Sequence, residues 1–442
     1  MRVIVLGAGV IGVCTAWQLA ERGHSVTVVD RCQEAGQETS HSNGGQVSVS
    51  VCEPWAGPRV PGKVMRWMWR EDSPLLFRSH LDPYQWRWSV AFAAQCTQSA
   101  FAQNLRHLVA LGRYSQEALQ AIVASTGIEF HRLQKGILQF FTEPEDFAAG
   151  ARSAALMFDQ GLERRVLTAK GVIDTEPALE RMAGSIVGGL YAPSDESGDA
   201  RMFTQGLQQA CAARGVSFLF GHEVDGVEVA GCAARAVRVR DKARGLRESV
   251  EADAIVVALG PWSAPFLRTV GVDHDIYPTK GYSVTLRLLQ PERANVVSLL
   301  DEERKLAITR LGDYVRVAGT AEMVGYHAGV SSPHARRRCA ALVQRFEQVF
   351  PGVADTSVPQ YWAGLRPSTP SNVPLIGRTR IDRLWVNAGH GTLGWTHAAG
   401  SAKLLAMLID GERPALDFPF DRATQGAWPG LNFGSAATAF SR

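Results

Sequence analysis

Apolar periodicity at the start of the chain predicts a parallel β–α–β unit. Arg2–Leu6 is a short run of mostly β-branched residues, which is typical of a buried parallel strand. Apolar residues recur at helical spacing through Val13–Ala20, and Gly23 is placed to end that helix. Ser25–Val29 then alternates as a second strand, which Asp30 closes.

A glycine motif lies between the predicted first strand and helix. Gly7-Ala8-Gly9-Val10-Ile11-Gly12 has the spacing GxGxxG. In a βαβ unit the first glycine permits the tight turn, the second lets the backbone approach a pyrophosphate, and the third allows close helix packing. The helix N-terminus offers free N–H groups to phosphate. Asp30, eighteen residues after Gly12, is placed to bind ribose hydroxyls. The unit is therefore predicted to bind a dinucleotide, with an ordinary glycine turn as the alternative.

The sequence after this unit departs from the alternating strands and helices expected of a nicotinamide-binding domain. Glu38–Gln46 is a polar loop that contains glycine, for which a solvated surface loop is the competing interpretation. Ala252–Gly260 and Leu384–Ala388 are predicted to be buried strands that return beside the nucleotide. These features favour a flavin over a nicotinamide cofactor.

A second GxGxxG, Gly389–Gly394, precedes a predicted helix, Trp395–Ile409. No strand ending in an acidic residue follows it, so we do not predict a second ADP site. The N-terminus of this helix is instead placed to face a flavin ring and to stabilise negative charge on it. His390 is interpreted as a hydrogen-bonding or packing residue rather than a catalytic base.

Composition excludes several functional classes. The chain has 442 residues, of which 46% are hydrophobic and 20% charged, with a formal net charge of +3. This charge is too small to indicate nucleic-acid binding, and no apolar stretch approaches the ~20 residues that cross a bilayer. The seven cysteines are scattered without a CxxC, so no disulfide framework or metal site is predicted. No signal-peptide pattern is visible, and a cytoplasmic protein is expected.

Three motifs carry a resemblance to a known family: Lys280-Gly281-Tyr282-Ser283, Gly364-Leu365-Arg366-Pro367 and the stretch Gly389–Thr396. The matching stretches are Arg2–Trp17, Glu38–Gln46, Pro54–Met68, Asp195–Gln205, Lys280–Thr285, Ile308–Gly325 and Trp362–Gly400. With them the chain resembles the D-amino-acid oxidase superfamily of flavoproteins, and within it the bacterial D-amino acid dehydrogenase small subunits. The resemblance implies FAD as the cofactor.

One loop departs from the family's pattern. After Thr39-Ser40 the family usually carries small, alanine-rich residues, whereas this chain has His41, Ser42, Gly44 and Gly45. The resemblance implies that this loop lies near the flavin. The substrate preference is therefore left open.

The resemblance implies an α/β fold class, with a Rossmann-like FAD-binding domain of the glutathione-reductase type and an inserted β-rich α+β substrate domain. We expect the FAD-binding domain to comprise residues 1–46, 96–127, 196–261 and 356–442, and the substrate-binding domain residues 47–95, 128–195 and 262–355. The alternation in Gly281–Leu289 predicts a half-buried strand. Ala307–Arg310 and Tyr314–Gly319 flank Leu311-Gly312-Asp313, which predicts a hairpin.

The resemblance also implies which residues contact FAD. They are Val3, Gly7, Gly9, Val10, Ile11, Gly12, Asp30, Arg31, Thr39, Ser40, Asn43, Gly44, Gly45, Gln46, Val224, Gly260, Gly364, Gly389, Gly391, Thr392, Leu393, Gly394, Trp395 and Thr396. Because they come from the start, the middle and the end of the sequence, the binding cavity is expected to be built by distant parts of the chain.

Three residues are predicted to form the catalytic site, where the Cα–H of an amino-acid substrate must point at the flavin. Arg366 is the candidate carboxylate clamp, because a guanidinium binds both oxygens and lysine does so poorly. In relatives the matching arginine has this role; a structural salt bridge is the alternative. Tyr282 is predicted to donate its hydroxyl to the same carboxylate, with a packed core tyrosine as the alternative. Lys280 is predicted to contact the flavin through water.

The resemblance implies an FAD-dependent dehydrogenase that oxidises D-amino acids to imino acids, which hydrolyse to 2-oxo acids and ammonia. Quinone or another respiratory acceptor would take the electrons. The alternatives are an oxidase of glycine, sarcosine or cyclic imino acids that forms hydrogen peroxide, a D-proline-like dehydrogenase, and a non-catalytic flavin-binding subunit.

A tryptophan-rich, basic stretch suggests where the acceptor is met. The tryptophans are Trp55, Trp67, Trp69, Trp86 and Trp88, and the interleaved basic residues are Arg59, Lys63, Arg66, Arg70, Arg78 and Arg87. Such residues suit a membrane–water interface. Peripheral contact with the cytoplasmic face of the inner membrane is therefore a hypothesis, with core packing as the interpretation favoured for most of the five tryptophans.

Overall fold

The computed structural model describes residues 1–62, 75–78, 80–421 and 423. The helices used below are α1 Val10–Glu21, α2 Pro83–Gln95, α3 Gln98–Thr126, α4 Pro144–Asp159, α5 Ala169–Thr175, α6 Ala200–Ala213, α7 Ser263–Arg268, α8 Pro333–Val349 and α9 Gly394–Ile409. The strands are β1 Arg2–Leu6, β2 Ser25–Asp30, β3 Gln46–Val47, β4 Leu75–Phe77, β5 Ile137–Phe141, β6 Arg165–Thr168, β7 Gly188–Ala192, β8 Glu196–Ser197, β9 Ser217–Phe220, β10 His222–Ala230, β11 Ala233–Asp241, β12 Arg247–Glu251, β13 Ala254–Val257, β14 Tyr277–Leu288, β15 Ser298–Asp301, β16 Leu306–Leu311, β17 Tyr314–Met323, β18 Ala354–Ser368, β19 Leu375–Arg378 and β20 Leu384–Ala388.

The first sheet contains the strands that the opening pattern predicts. Its order is β19-β20-β13-β1-β2-β9, and β1 pairs in parallel with both β13 and β2. Arg2–Leu6 and Leu384–Ala388 have the predicted bounds, whereas the strand predicted over Ala252–Gly260 is shorter and spans Ala254–Val257. A helix separates β1 from β2, so the predicted βαβ unit is present.

Both faces of this sheet are covered, as a parallel sheet requires. On one face α1 packs against α6 and α9, and α9 packs against α3, with Val13, Trp17 and Leu405 in the shared core. On the other face the antiparallel sheet β10-β11-β12 and α7 enclose Ile4 and Leu267. The continuous apolar run in β1 follows from this two-sided burial.

The second sheet has the order β18-β14-β17-β16-β15-β5-β7-β6, with β4 beside β17. β16 and β17 form the predicted hairpin, and Gly312 in its turn has a φ of +62°. α8 packs across β14, β17 and β18. β18 pairs with β14 from Ala354 to Ser368, so the chain returns to the first sheet after Ser368 rather than at the expected boundary after residue 355.

The two sheets meet at a cavity. The residues that follow β1, β2, β13 and β20 line one side of it, and residues of β14, β17 and β18 line the other. In open α/β sheets, ligands bind outside the carboxyl ends of the parallel strands. The fold therefore presents its binding site where such folds are expected to have one.

Candidate active site

The cavity has a volume of about 780 Å³, which is within the range of small-molecule sites. The predicted FAD contacts line it except for four: Val3, Gly12, Gly389 and Thr396. Val3 lies in the middle of β1 and is buried. A Cβ on Gly389 would lie 2.7 Å from the Thr369 side chain, so this glycine allows close packing. Thr396 accepts a hydrogen bond from the Ser48 N–H at 3.1 Å. These residues therefore lie outside the cavity lining itself.

The first glycine loop forms a cradle at the start of α1. A Cβ on Gly7, whose φ is +105°, would lie 2.5 Å from the Ala258 carbonyl oxygen, and one on Gly12 only 1.8 Å from the Gly7 carbonyl oxygen. Both positions therefore require glycine. Among the described atoms within 4 Å, a Cβ on Gly9 would meet only the Ser40 hydroxyl, at 3.5 Å. The open side of Gly9 faces the cavity, and α1 has no side-chain cap and no acidic residue in its first turn. The cradle suits a phosphate.

Asp30 lies at the cavity wall, but its carboxylate is engaged within the protein. Its Oδ2 accepts a hydrogen bond from the Ala8 N–H at 2.6 Å, and its Oδ1 accepts one from the Cys32 N–H at 2.8 Å. Burial raises the pKa of Asp30, and these hydrogen bonds oppose that shift. The carboxylate thus connects the glycine turn to the end of β2. Only the lone pairs of Asp30 that these two hydrogen bonds leave free could accept the predicted hydrogen bonds from ribose hydroxyls.

Arg31 and Trp262 close the same end of the cavity. The Arg31 guanidinium lies 4.9 Å from the centre of the Trp262 ring, and its Nε donates to Glu38 at 2.9 Å. Val224 also lines this end. Motif reasoning missed Trp262, although it directly follows the predicted strand and Gly260 in a short 3₁₀ turn.

The polar loop Thr39–Gln46 is held against the second sheet rather than exposed as a solvated loop. The Thr39 hydroxyl donates to the Leu365 carbonyl at 2.7 Å, and the Thr309 hydroxyl donates to the Gly44 carbonyl at 2.7 Å. Gly45 has a φ of +71° and lies against the Thr309 methyl group. The loop therefore joins the two sides of the cavity.

The second glycine loop lines the cavity from Gly391 to Trp395, where α9 begins without a side-chain cap or an acidic residue in its first turn. The positive end of the helix dipole thus meets the cavity. The His390 ring is buried, and neither ring nitrogen has a hydrogen-bond partner among the described residues. Burial lowers the pKa of His390 to about 3, with a further contribution from His397. The enclosed, neutral ring agrees with a packing role.

Arg366 directs its guanidinium into the cavity without a carboxylate partner. No acidic side chain of the described residues lies within ion-pair distance of it, and its Nη1 donates to the Thr320 carbonyl at 2.8 Å. The guanidinium lies across Gly281, since a Cβ there would be 2.3 Å from its atoms. Burial lowers the pKa of Arg366 to about 10, which leaves it charged at neutral pH. The structural salt bridge considered as the alternative is not present in the described part of the chain.

A bulge in β17 sets the Thr320 carbonyl in place. Lys280 pairs with Glu322 and Tyr282 pairs with Gly319, so β17 has one more residue than β14 in this interval. Thr320 has a φ of +57°, which is rare for a β-branched residue. Bulges re-aim groups next to active sites, and this one aims a carbonyl at Arg366.

Tyr282 and Lys280 lie on the opposite side of β14 from the arginine. The Tyr282 hydroxyl donates to the buried Glu322 carboxylate, which also binds His334 Nε2 at 2.5 Å. The Lys280 ammonium donates to the Gly329 carbonyl at 2.6 Å, and Lys280 is not part of the cavity wall. Successive side chains of a strand alternate between faces. Since Gly281 faces Arg366, the side chains of the two flanking residues point toward the other face of β14. Tyr282 is nonetheless among the residues that line the cavity, so its substrate contact, like the flavin contact of Lys280, stays a prediction.

Sequence reasoning missed a polar group in the cavity wall, formed by Glu53, Gln139 and Arg164. Arg164 donates to Gln139 Oε1 at 2.6 Å and to Glu53 Oε1 at 2.9 Å. Gln139 lies in the buried, otherwise apolar strand Ile137–Phe141. A polar residue in an otherwise apolar, buried strand is the sequence feature that could have indicated this part of the cavity wall.

No group of three or more histidine, cysteine, aspartate or glutamate side chains in the described residues is arranged to hold a metal ion. All seven cysteines are free thiols, and Cys14, Cys52, Cys211 and Cys339 are buried.

Comparison with known proteins identifies the group to which this architecture belongs. The family described as DAO, FAD dependent oxidoreductase, matches residues 2–408. The chain belongs to the DAO family. This membership confirms the resemblance seen in the sequence, the α/β fold class and FAD as the cofactor.

Relatives and solved structures cover nearly the whole chain. D-amino acid dehydrogenase of Dechloromonas aromatica (strain RCB) is 46% identical over 422 residues, which are 96% of this chain and 100% of that protein. D-amino acid dehydrogenase of Granulibacter bethesdensis is 42% identical over 417 residues, 94% of this chain and 97% of that protein. The structure of glycine oxidase from Geobacillus kaustophilus matches with a TM-score of 0.74 at 21% identity, over 97% of this chain and 100% of that one. At that identity the match shows the shared fold.

The cavity fits the cofactor of the DAO family. The cradle at Gly9 is open where a phosphate would lie, and a Cβ would fill it. The uncapped N-termini of α1 and α9 supply N–H groups and positive dipole ends for an anionic diphosphate and for an electron-rich ring. The two glycine loops and the Thr39–Gln46 loop together line one continuous space. These residues are the ones that would hold FAD.

A buried carboxyl group under the cavity wall makes stability depend on pH. Asp195 accepts hydrogen bonds from the Ser50 hydroxyl and from the Val49 N–H at 3.1 Å, and burial raises its pKa to about 6. Because the folded-state pKa exceeds the ordinary value, the unfolding free energy should fall as pH rises from about 4 to about 6, by about 2–3 kcal/mol.

The variant Asp195→Asn should lose this part of the pH dependence, since an amide does not ionise. Urea unfolding of wild type and variant at about pH 4.5 and about pH 7 measures the difference. Asp159→Asn, at an exposed aspartate on α4, is the matched control. An equal pH dependence in wild type and Asp195→Asn would contradict the prediction.

Proposed function

We propose that this chain is an FAD-dependent dehydrogenase that oxidises D-amino acids. The observation that carries the proposal is Arg366, a half-buried guanidinium without an acidic partner in the described residues, turned into a cavity that fits FAD. A cation that has lost much of its water needs a counter-charge, and a substrate carboxylate supplies one. Relatives at 46% and 42% identity that are named D-amino acid dehydrogenase support the choice of substrate class.

The chain's part in the reaction is to bind and orient. Arg366 binds the α-carboxylate with its free N–H groups, while Gly281 leaves room for the guanidinium and the Thr320 carbonyl fixes its rotation. The bound carboxylate then holds Cα–H in one direction, which is where much of the rate arises. FAD, when bound, supplies the group that accepts two electrons with the hydrogen of Cα.

The product follows from the atoms lost. A neutral amino group loses one proton while Cα loses a hydride equivalent, so a C=N bond forms and an imino acid leaves the site. Water then adds to that bond and ammonia departs, which yields a 2-oxo acid. The N-terminus of α9 would stabilise the negative charge that a bound flavin ring gains when it is reduced.

An acceptor of low polarity fits the surface near the cavity mouth. α2 carries Phe92, which lines the cavity, and it exposes Trp86 and Val90 to solvent, with Leu81 exposed just before the helix. We therefore propose a membrane quinone as the acceptor, with peripheral contact of α2 at the cytoplasmic face of the inner membrane. No helix in the described ranges is long and apolar enough to cross a bilayer.

The other members of the tryptophan-rich stretch have different places. Trp88 is buried and donates to the Ser368 carbonyl at 2.7 Å, and Trp55 lines the cavity. Arg87 forms ion pairs with Asp273 and Asp275. Trp67, Trp69, Lys63, Arg66 and Arg70 lie outside the described residues. Flotation of the Trp86→Ala/Val90→Ala double variant with anionic liposomes, compared with wild type at low and high salt, tests the membrane contact; equal behaviour would remove it.

Anaerobic mixing of the purified holoenzyme with a panel of amino acids tests the proposed function. D-Amino acids are expected to bleach the flavin absorbance, and their L-enantiomers are not. Bleaching by glycine, sarcosine or proline alone would favour the alternative oxidase or proline-type dehydrogenase. Absence of bleaching by every compound would favour the non-catalytic subunit.

The rate at which different acceptors reoxidise the reduced flavin then identifies the electron acceptor. Rapid reoxidation by a short-chain quinone with little peroxide in air is the expected result. Fast reoxidation by air with stoichiometric peroxide would contradict the dehydrogenase assignment and indicate an oxidase.

A further inference from the structure

Two glycines face each other on neighbouring strands at the floor of the cavity. Gly281 of β14 pairs directly with Gly364 of β18. The Arg366 guanidinium lies over Gly281, and the Trp362 indole lies over Gly364, where a Cβ would be 2.0 Å from the ring atom Cη2. Paired residues in an antiparallel ladder have their Cα atoms about 4.5–5.5 Å apart. The two planar groups are therefore neighbours in the same part of the cavity wall.

The indole of Trp362 is braced by His41. The two rings are stacked, with centroids 6.3 Å apart and planes inclined by 13°. Nε2 of His41 is 2.9 Å from Arg201 Nη1, and Nδ1 is 2.7 Å from the Ser42 hydroxyl. Because arginine only donates, Nε2 accepts and Nδ1 carries the proton. The neutral ring is thus fixed at both nitrogens.

The brace is anchored to the same strands that carry the glycine pair. The Ser283 hydroxyl donates to the Ser42 carbonyl at 2.8 Å, and Ser283 pairs with Trp362 across β14 and β18. His41 and Trp362 are therefore both attached to the sheet that carries Arg366. Trp362 is half-buried and lines the cavity, so part of its ring remains open to a ligand.

We propose that the Trp362 indole is the wall against which the substrate's side chain packs, and that His41 is a positioning residue for that wall. The inference rests on the proposed function, because it assumes a carboxylate at Arg366. With the carboxylate there, Cα lies about one strand spacing from the indole, and the fixed ring limits how large a side chain the site accepts. Small D-amino acids are then preferred over bulky ones.

The ratio of kcat/KM for D-phenylalanine to that for D-alanine tests the wall. Trp362→Leu should raise the ratio about tenfold, a size typical of a few methylene groups in an apolar pocket. His41→Ala should raise it in the same direction but less, because the indole can then rotate. His41→Phe, which retains a ring to stack on Trp362, should stay closer to wild type. Trp385→Leu, at a half-buried tryptophan of β20 outside the cavity wall, is the matched control and should leave the ratio unchanged.

A binding measurement separates this inference from the proposed function. Acetate and benzoate are titrated into the holoenzyme, and their Kd values are read from the flavin absorbance. Trp362→Leu should lower the Kd for benzoate relative to the Kd for acetate about tenfold. If no D-amino acid bleaches the wild-type flavin, the proposed function fails, while this titration still tests the wall. Equal changes for both carboxylates, a reversed change, or no response of the wild type to either carboxylate would overturn the inference.

Discussion

Replacing Arg366 by alanine is expected to raise KM for a D-amino acid by two to three orders of magnitude while FAD stays bound. The variant removes the cation that faces the cavity, and truncating one partner of a buried charge pair costs about 2–5 kcal/mol. FAD should stay bound because its proposed contacts are the glycine loops and helix ends. Steady-state kinetics with a soluble dye as acceptor, together with the ratio of flavin to protein absorbance, measures both outcomes.

Arg366→Lys should restore only part of the affinity. An ammonium keeps the charge but cannot offer two parallel N–H donors to a carboxylate. Arg287→Ala, at an exposed arginine further along β14, is the matched control and should leave KM near the wild-type value. If both Arg366 variants have the wild-type KM, Arg366 does not bind the carboxylate.

The second large effect is expected at the first glycine loop, where Gly9→Ala should yield protein with little or no flavin. Gly9 has an extended backbone that any residue adopts, and the new Cβ would lie 3.5 Å from the Ser40 hydroxyl, which is an ordinary contact. The fold should therefore survive. On its open side the methyl group would occupy the space into which a diphosphate must come.

Three measurements separate loss of the cofactor from loss of the fold. The absorbance ratio reports flavin content, circular dichroism reports folding, and titration with added FAD reports affinity. Gly184→Ala, where a Cβ would have nothing within 4 Å, is the control and should purify yellow. Gly12→Ala, which would place a Cβ 1.8 Å from the Gly7 carbonyl oxygen, should also lower folding yield. A Gly9→Ala protein with full flavin content would contradict the assignment.

The local elements could be predicted because they depend on short-range patterns. β1 and β20 have the predicted bounds, and the turn at Gly312 lies where a glycine between two alternating runs predicts it. The expected boundary near residue 355 falls inside the sheet of β18 because domain crossings depend on which strand pairs with which. Pairing between β14 and β18 joins residues about eighty positions apart, and apolar periodicity carries no information on that choice.

The site was predictable to the extent that one residue type fits one task. Arg366 belongs to that class, since a guanidinium is the side chain that can bind both oxygens of a carboxylate. Tyr282 and Lys280 do not, because a strand pattern says that they share a face without saying which face meets the cavity. The roles inferred for Trp362 and His41 required the register of β18 and the path of a distant loop.

The strand order of the first sheet limits when FAD can bind during synthesis of the chain. β1, made first, lies between β2 and β13, and α9, near the other end of the sequence, packs on α1. Nearly the whole chain must therefore be synthesised before the glycine cradle at α1 and the N-terminus of α9 can line one cavity. We therefore expect FAD to bind only after nearly the whole chain has folded, and a truncated chain that lacks α9 is expected to purify colourless even with its βαβ unit complete.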